Sequence, residues 1–196
     1  MATAVLVTGR PGSGKTTLAE RVVARWPGAA GGFYTRELRQ GRERTGFELV
    51  TLAGERAALA DTGRRGGPRV GKYGVNLRAV EEVGVPALQR AARKADLVVI
   101  DYYRIQGGIR MPDGAAHVDP TLDSVWIGKM ELLSPAFVAA VRELVQGPHR
   151  LLATIMAPPH PVADEIKRYP GVHLLEVTPA NRDALVDSVL QWLQHG

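Results

Sequence analysis

The stretch Gly9-Arg10-Pro11-Gly12-Ser13-Gly14-Lys15-Thr16 constrains this chain more than any other. It fits G-x-x-x-x-G-K-[ST] at every fixed position. The run Ala4-Val5-Leu6-Val7 before it reads as a short buried strand, and residues 17–26 after it carry apolar side chains at helical spacing. Strand, loop and helix in that order form a cradle. The glycines let the backbone curl until several N–H groups point inward, and the helix aims the positive end of its dipole at the same spot. Phosphate binds there. Lys15 would reach the β- and γ-phosphates of a nucleotide and the Thr16 hydroxyl would ligate Mg²⁺, with Gly9, Arg10, Pro11, Gly12, Ser13, Gly14 and Thr17 completing the nucleotide-binding loop.

Such a loop needs a carboxylate to hold Mg²⁺ through water, expected from a neighbouring parallel strand. Leu97-Val98-Val99-Ile100-Asp101 supplies one: the run is apolar throughout, follows a helical-looking segment at residues 88–94, and ends in an acid. Lys15 and Asp101 are therefore the candidate catalytic residues, Thr16 and Asp101 the candidate metal ligands, and Mg²⁺ the expected cofactor.

The remaining chain alternates between strand and helix patterns. Residues 31–39 and 45–52 read as two strands joined through Gln40-Gly41, and residues 56–60 and 71–77 extend this β block on one side of a parallel sheet. Ser134-Pro135 has the residue types of a helix start, for a helix reaching about Val145. A strand at residues 151–156, a helix at 160–168 and a strand at 172–177 follow, and Thr178-Pro179 opens a last helix with an apolar stripe. The fold class is α/β: a mainly parallel sheet flanked by helices, with an antiparallel β extension.

Composition limits the partners. A chain of 196 residues, 45% hydrophobic, makes a single domain over residues 1–196. The absence of cysteine excludes a disulfide framework and thiolate metal ligands, and suits a reducing cytoplasm. No signal pattern opens the chain, and no apolar run approaches the ~18 residues of a membrane span. A cytoplasmic monomer is the expectation, with no membrane partner. The net charge of +5 is densest at Arg36, Arg39, Arg42 and Arg44. Without an aromatic-interleaved basic motif, this charge points to nucleoside triphosphates or plain solvation rather than to nucleic acid.

Taken together, several blocks resemble the THEP1 family of nucleoside-triphosphatases. They are the phosphate loop, Gly32-Phe33-Tyr34-Thr35 with Glu37 and Arg39, Thr45-Gly46-Phe47, Val70-Gly71-Lys72-Tyr73, Val99-Ile100-Asp101, Ile127-Gly128-Lys129-Met130-Glu131-Leu132, Ala153-Thr154-Ile155, and Thr178-Pro179-Ala180-Asn181-Arg182-Asp183. The resemblance implies a RecA-like P-loop NTPase sheet and slow, Mg²⁺-dependent hydrolysis of ATP, GTP and other NTPs to NDPs. It also implies a Glu directly after the Asp101 position. Here residues 102–126 stand in its place, as an insert at the end of that strand.

The insert has three readings. As a lid it would form a hairpin, with Arg104 or Arg110 touching phosphate and Asp113, Asp119, Asp123 or Glu131 supplying a carboxylate; otherwise it is a bland surface excursion, or an engineered or mis-assigned stretch. His117 with Asp119 is too weak a pair for a metal site and reads as solvent-exposed. By analogy with P-loop folds whose late loops cover the base, Asn181 and Arg182 lie near the nucleobase, with helix capping as the alternative. Lys129 and Glu131 form either an ion pair at the site or a solvated turn, and His160 reads as a turn residue. Three rivals to an NTPase remain: a nucleotide-binding module with impaired hydrolysis, a small-molecule kinase and a nucleic-acid-stimulated ATPase.

Overall fold

The computed structural model describes residues 3–102 and 127–195. In chain order the elements are β1 (Thr3–Thr8), α1 (Lys15–Arg25), β2 (Ala30–Gln40), β3 (Glu43–Thr51), β4 (Arg56–Asp61), β5 (Arg69–Val70) and β6 (Tyr73–Val75). A π-helical turn (Ala79–Gly84) leads into α2 (Val85–Lys94) and β7 (Leu97–Tyr102). After a short 3₁₀ turn (Glu131–Leu133) come α3 (Pro135–Gln146), β8 (Arg150–Thr154), α4 (Pro161–Lys167), β9 (Val172–Glu176) and α5 (Arg182–His195).

All nine strands join one sheet, ordered β5-β6-β4-β3-β2-β7-β8-β1-β9. Strands β2, β7, β8, β1 and β9 are parallel, and β3, β4, β6 and β5 continue the sheet antiparallel from the edge of β2. The antiparallel block is thus an in-plane extension of the sheet. It lies on one side of the parallel strands, as expected, because β3 pairs directly with β2 through the expected turn.

One correction concerns Asp101. Its strand, β7, is not the neighbour of β1, because β8 lies between the two and pairs with both. Sequence order cannot reveal this, since the late strand β8 inserts between β7 and β1 while β9 takes the edge beyond β1.

Period-two alternation divides the core between the faces. Val5 and Val7 of β1, Leu152 of β8 and Leu97 and Val99 of β7 pack with Leu18 and Val22 of α1 and Val189 and Leu193 of α5. Ala4, Leu6, Val98 and Ile100 face the other way, onto Leu88 of α2 and Phe137 and Val141 of α3. Each such fully buried Leu, Val or Phe side chain contributes on the order of 1.5–3 kcal/mol. The α3 start behaves as its residues suggest: the Ser134 hydroxyl accepts from the Phe137 N–H at 3.2 Å. Helix α5 instead begins at Arg182, later than Thr178-Pro179 suggests. The Asn181 amide accepts from the Thr178 N–H at 2.8 Å and donates to the Glu176 carbonyl at 3.0 Å, which holds residues 178–181 in a turn.

Gly32 of β2 pairs with Val99 of β7, and its φ is +122°. A Cβ there would lie 2.0 Å from the Val99 carbonyl oxygen. Gly32→Ala should therefore cost about 2–4 kcal/mol of stability, seen as a lower urea midpoint with an unchanged slope.

Candidate active site at the phosphate loop

Strand β1 delivers the loop, and α1 receives it. Gly9 has φ +140°, and a Cβ there would stand 2.4 Å from the Val177 carbonyl oxygen. Gly14 has φ +97° and lies against the stem of Arg182, whose Cδ is 2.5 Å from where a Cβ would be. Both positions therefore demand glycine. Lys15 is 3% exposed, and its ammonium donates to the carbonyls of Gly9 at 3.0 Å and Arg10 at 2.9 Å. The cation is thereby held over its own loop. The hydroxyls of Thr8 and Ser13 are buried with no hydrogen-bond partner among the described residues, a polarity suited to a bound polar group.

Asp101 closes the site from β7. It is 7% exposed, and the Thr154 hydroxyl of the intervening strand donates to its Oδ1 at 2.9 Å. Thr154 thus fixes the carboxylate on the face that α1 covers. Sequence reasoning gave Thr154 no role of its own, because its value depends on β8 standing between β1 and β7.

Glu20 was also missed. It stands four residues after Thr16 on α1, hence one turn along the same helix face, and its Oε1 is buried without a hydrogen-bond partner among the described residues. Burial, then the charge of Asp101, push its carboxyl up to about 7, with Arg21 acting the other way. The i, i+4 spacing from Thr16 was the available signal.

Tyr102 and Ile127 pair with different strands. Tyr102 still pairs with Thr35 of β2. Continuing the β7–β8 register would set residue 102 beside Ile155, but Ile127 takes that place, donating to the Thr154 carbonyl at 2.9 Å and accepting from the Met156 N–H at 3.2 Å. Residues 102 and 127 are thus each paired with a sheet strand just beyond Asp101. Arg104, Arg110, Asp113, His117, Asp119 and Asp123 lie outside the described residues.

Of the remaining candidates, Arg182 touches the phosphate loop at Gly14, while the Asn181 amide is committed to its turn. Lys129 is exposed, whereas Glu131 is 1% exposed and accepts from the Gly128 N–H at 3.3 Å. The two therefore share neither an ion-pair environment nor a solvated turn. His160 precedes α4, and its N–H donates to Asp164 at 3.1 Å.

Among the described residues no group of three or more His, Cys, Asp and Glu could hold a metal by itself, and no helix is long and apolar enough to cross a membrane. A hydroxyl from Thr16 and a carboxylate from Asp101 are hard oxygen donors that fit Mg²⁺ sharing its shell with phosphate and water.

Parallel strands β2-β7-β8-β1-β9 around a glycine-rich loop that opens a helix define the P-loop NTPase fold. Comparison with known proteins agrees. A family model described as NTPase matches residues 4–102 and 126–190. The nucleoside-triphosphatase THEP1 of Thermotoga maritima is 38% identical over 190 residues, covering 97% of this chain and 95% of the relative. The human cancer-related nucleoside-triphosphatase is 35% identical over 206 residues, covering 99% and 98%. The crystal structure of THEP1 from Aquifex aeolicus superposes with a TM-score of 0.77 at 34% identity, covering 98% of this chain and 100% of that one. The chain belongs to the THEP1 family of nucleoside-triphosphatases, a family of hydrolases.

Burial pushes the Glu131 carboxyl up to about 7, against the hydrogen bonds from its own N–H and that of Gly128. Between about pH 4.5 and 7 the unfolded chain has released this proton while the folded chain keeps it, so stability falls as pH rises and levels off above 7. Glu131→Gln should abolish this component, gaining on the wild type by about 3 kcal/mol between pH 5 and pH 8 in chemical unfolding.

Proposed function

We propose that this chain hydrolyses nucleoside triphosphates, ATP and GTP among them, to the diphosphate and inorganic phosphate with Mg²⁺. The observation that carries this reading is the buried Lys15 ammonium at the mouth of the phosphate loop, with the Thr154-held Asp101 on the same face. On binding, the β- and γ-phosphate oxygens would replace the Gly9 and Arg10 carbonyls as partners of Lys15, and the loop N–H groups would hold the rest of the chain of phosphates. Thr16 and Asp101 would hold Mg²⁺, which neutralises charge on the phosphates when bound. Water oxygen forms the new bond to the γ-phosphorus as the bond to the β–γ bridging oxygen breaks, and the water proton is released. Arg182, packed on Gly14, would wall the nucleotide beside the loop. The same reading makes the protein a cytoplasmic monomer acting on free nucleotides.

A second reading is supported by one feature. The residue after Asp101 is Tyr102, where the family resemblance expects a Glu to orient or deprotonate the water. A phenol with an ordinary pKa near 10 is a poor base at neutral pH, and losing a general base costs on the order of 10²–10⁴ in rate. A nucleotide-binding module with feeble turnover is the outcome if nothing else supplies that group.

Phosphate release from Mg·ATP and Mg·GTP separates the readings. The wild type should turn over at a rate comparable to a form in which residues 102–126 are replaced by one Glu, and Lys15→Ala should lose at least about 100-fold. If only the Glu form turns over while the wild type still binds nucleotide, the second reading stands. Thr154→Val should raise the Mg²⁺ concentration for half-maximal nucleotide binding by about tenfold and leave binding in EDTA unchanged, as expected when a supporting hydrogen bond to a metal ligand is removed.

A further inference from the structure

Strand β2 outruns the parallel sheet. Its pairing with β7 ends at Thr35 opposite Tyr102, yet β2 and β3 continue as a hairpin to Gln40 and Glu43, past the carboxyl end of β7. In α/β sheets that end is where ligands bind. Paired residues of adjacent strands share a face. Tyr34 pairs with Asp101, so Tyr34 and, two residues on, Arg36 stand on the face of Asp101. The neighbouring pair, Phe33 and Ile100, confirms the alternation, because both belong to the opposite core with α2 and α3. From ordinary strand spacings the Arg36 Cα lies about 8 Å from that of Asp101, displaced toward the ligand end. That is within reach of an arginine side chain.

Arg36 is also held in place. Its side chain is 25% exposed, and Nε donates at 2.6 Å to Glu48, its cross-strand partner on β3. Among the described residues this is its one hydrogen bond. Fixing Nε leaves the terminal nitrogens as a planar fork, the geometry that suits a phosphate. A plain cross-strand ion pair would be worth only about 0.2–1 kcal/mol, so the pairing alone gives little reason to hold a cation there.

We propose that Arg36 contacts the γ-phosphate of a nucleoside triphosphate bound in the phosphate loop, with Glu48 orienting the guanidinium. This rests on the nucleotide-binding reading above and deepens it. Lys15 meets the β- as well as the γ-phosphate, whereas Arg36 reads only the group that departs, and so separates triphosphate from diphosphate.

The test is the affinity of Mg·ADP and of a Mg-bound non-hydrolysable ATP analogue for the wild type, Arg36→Ala, Arg36→Lys and Lys15→Ala, with urea unfolding as the control for folding. Arg36→Ala should weaken analogue binding by about tenfold or more and leave ADP within about twofold, with a parallel fall in kcat. Arg36→Lys, which keeps the charge beside Glu48 and serves should the alanine form not fold, should weaken only the analogue, to an intermediate degree. Equal effects on both nucleotides, or none on either, overturn the proposal. If the wild type binds the analogue and Lys15→Ala does not while both Arg36 variants match the wild type, only the Arg36 role fails. If wild type and Lys15→Ala are alike in binding neither nucleotide, the nucleotide reading fails and takes Arg36 with it.

Discussion

Register in the three parallel strands β1, β8 and β7 is the constraint on which the site depends. Strand β8 pairs Thr154 with Val7 on one side and Ala153 with Ile100 on the other. Those pairings set Thr154 and Asp101 side by side on the face that α1 covers, where the hydroxyl can hold the carboxylate. A slip of one residue in either pairing would send Asp101 or Thr154 to the opposite face, among the side chains of α2 and α3. It would also exchange the apolar side chains packed on α1 and α5 with those packed on α2 and α3. The hydrophobic alternation that stabilises the sheet is therefore also what aims the acid at the phosphate loop.

Much of this was legible in the residues themselves. The phosphate loop, its flanking strand and helix, the acid at the end of β7 and the Ser134 cap each rest on local chemistry, and the structure keeps them local. What escaped depends on position in space. Nothing near Asp101 in the chain announces that β8 will lie between its strand and β1, so the role of Thr154 stayed hidden. Glu20 carried a faint signal in its spacing from Thr16, but its surroundings needed the sheet beneath the helix. Thr178-Pro179 looked like a helix start because the residue types are right; the Asn181 amide, bonded to the Thr178 N–H and the Glu176 carbonyl, delays the helix. Glu131 lies in a polar-looking turn, and only the packing around it shows that its carboxyl is buried.

Lys15 and Arg36, the two cations proposed to meet phosphate, differ in how they are restrained. Lys15 is bonded to backbone carbonyls of its own loop, neutral partners that give way to a phosphate at modest cost. Arg36 is bonded to a carboxylate on a separate strand, a charged partner that keeps the cation in place. On the proposed function one residue would be released by the ligand, while the other would stay where the sheet puts it. Such a division would keep part of the charge arrangement fixed before anything binds.

The divided sheet edge beyond Asp101 has a consequence for how chains of this kind can vary. Tyr102 is secured by β2 and Ile127 by the residues that continue β8, so each has its own paired neighbour. The two ends are anchored independently of whatever joins them. Segments of quite different length can therefore be spliced at this point without loosening the core, which makes the rim of the site a natural place for lineages to diverge and for designed segments to be grafted.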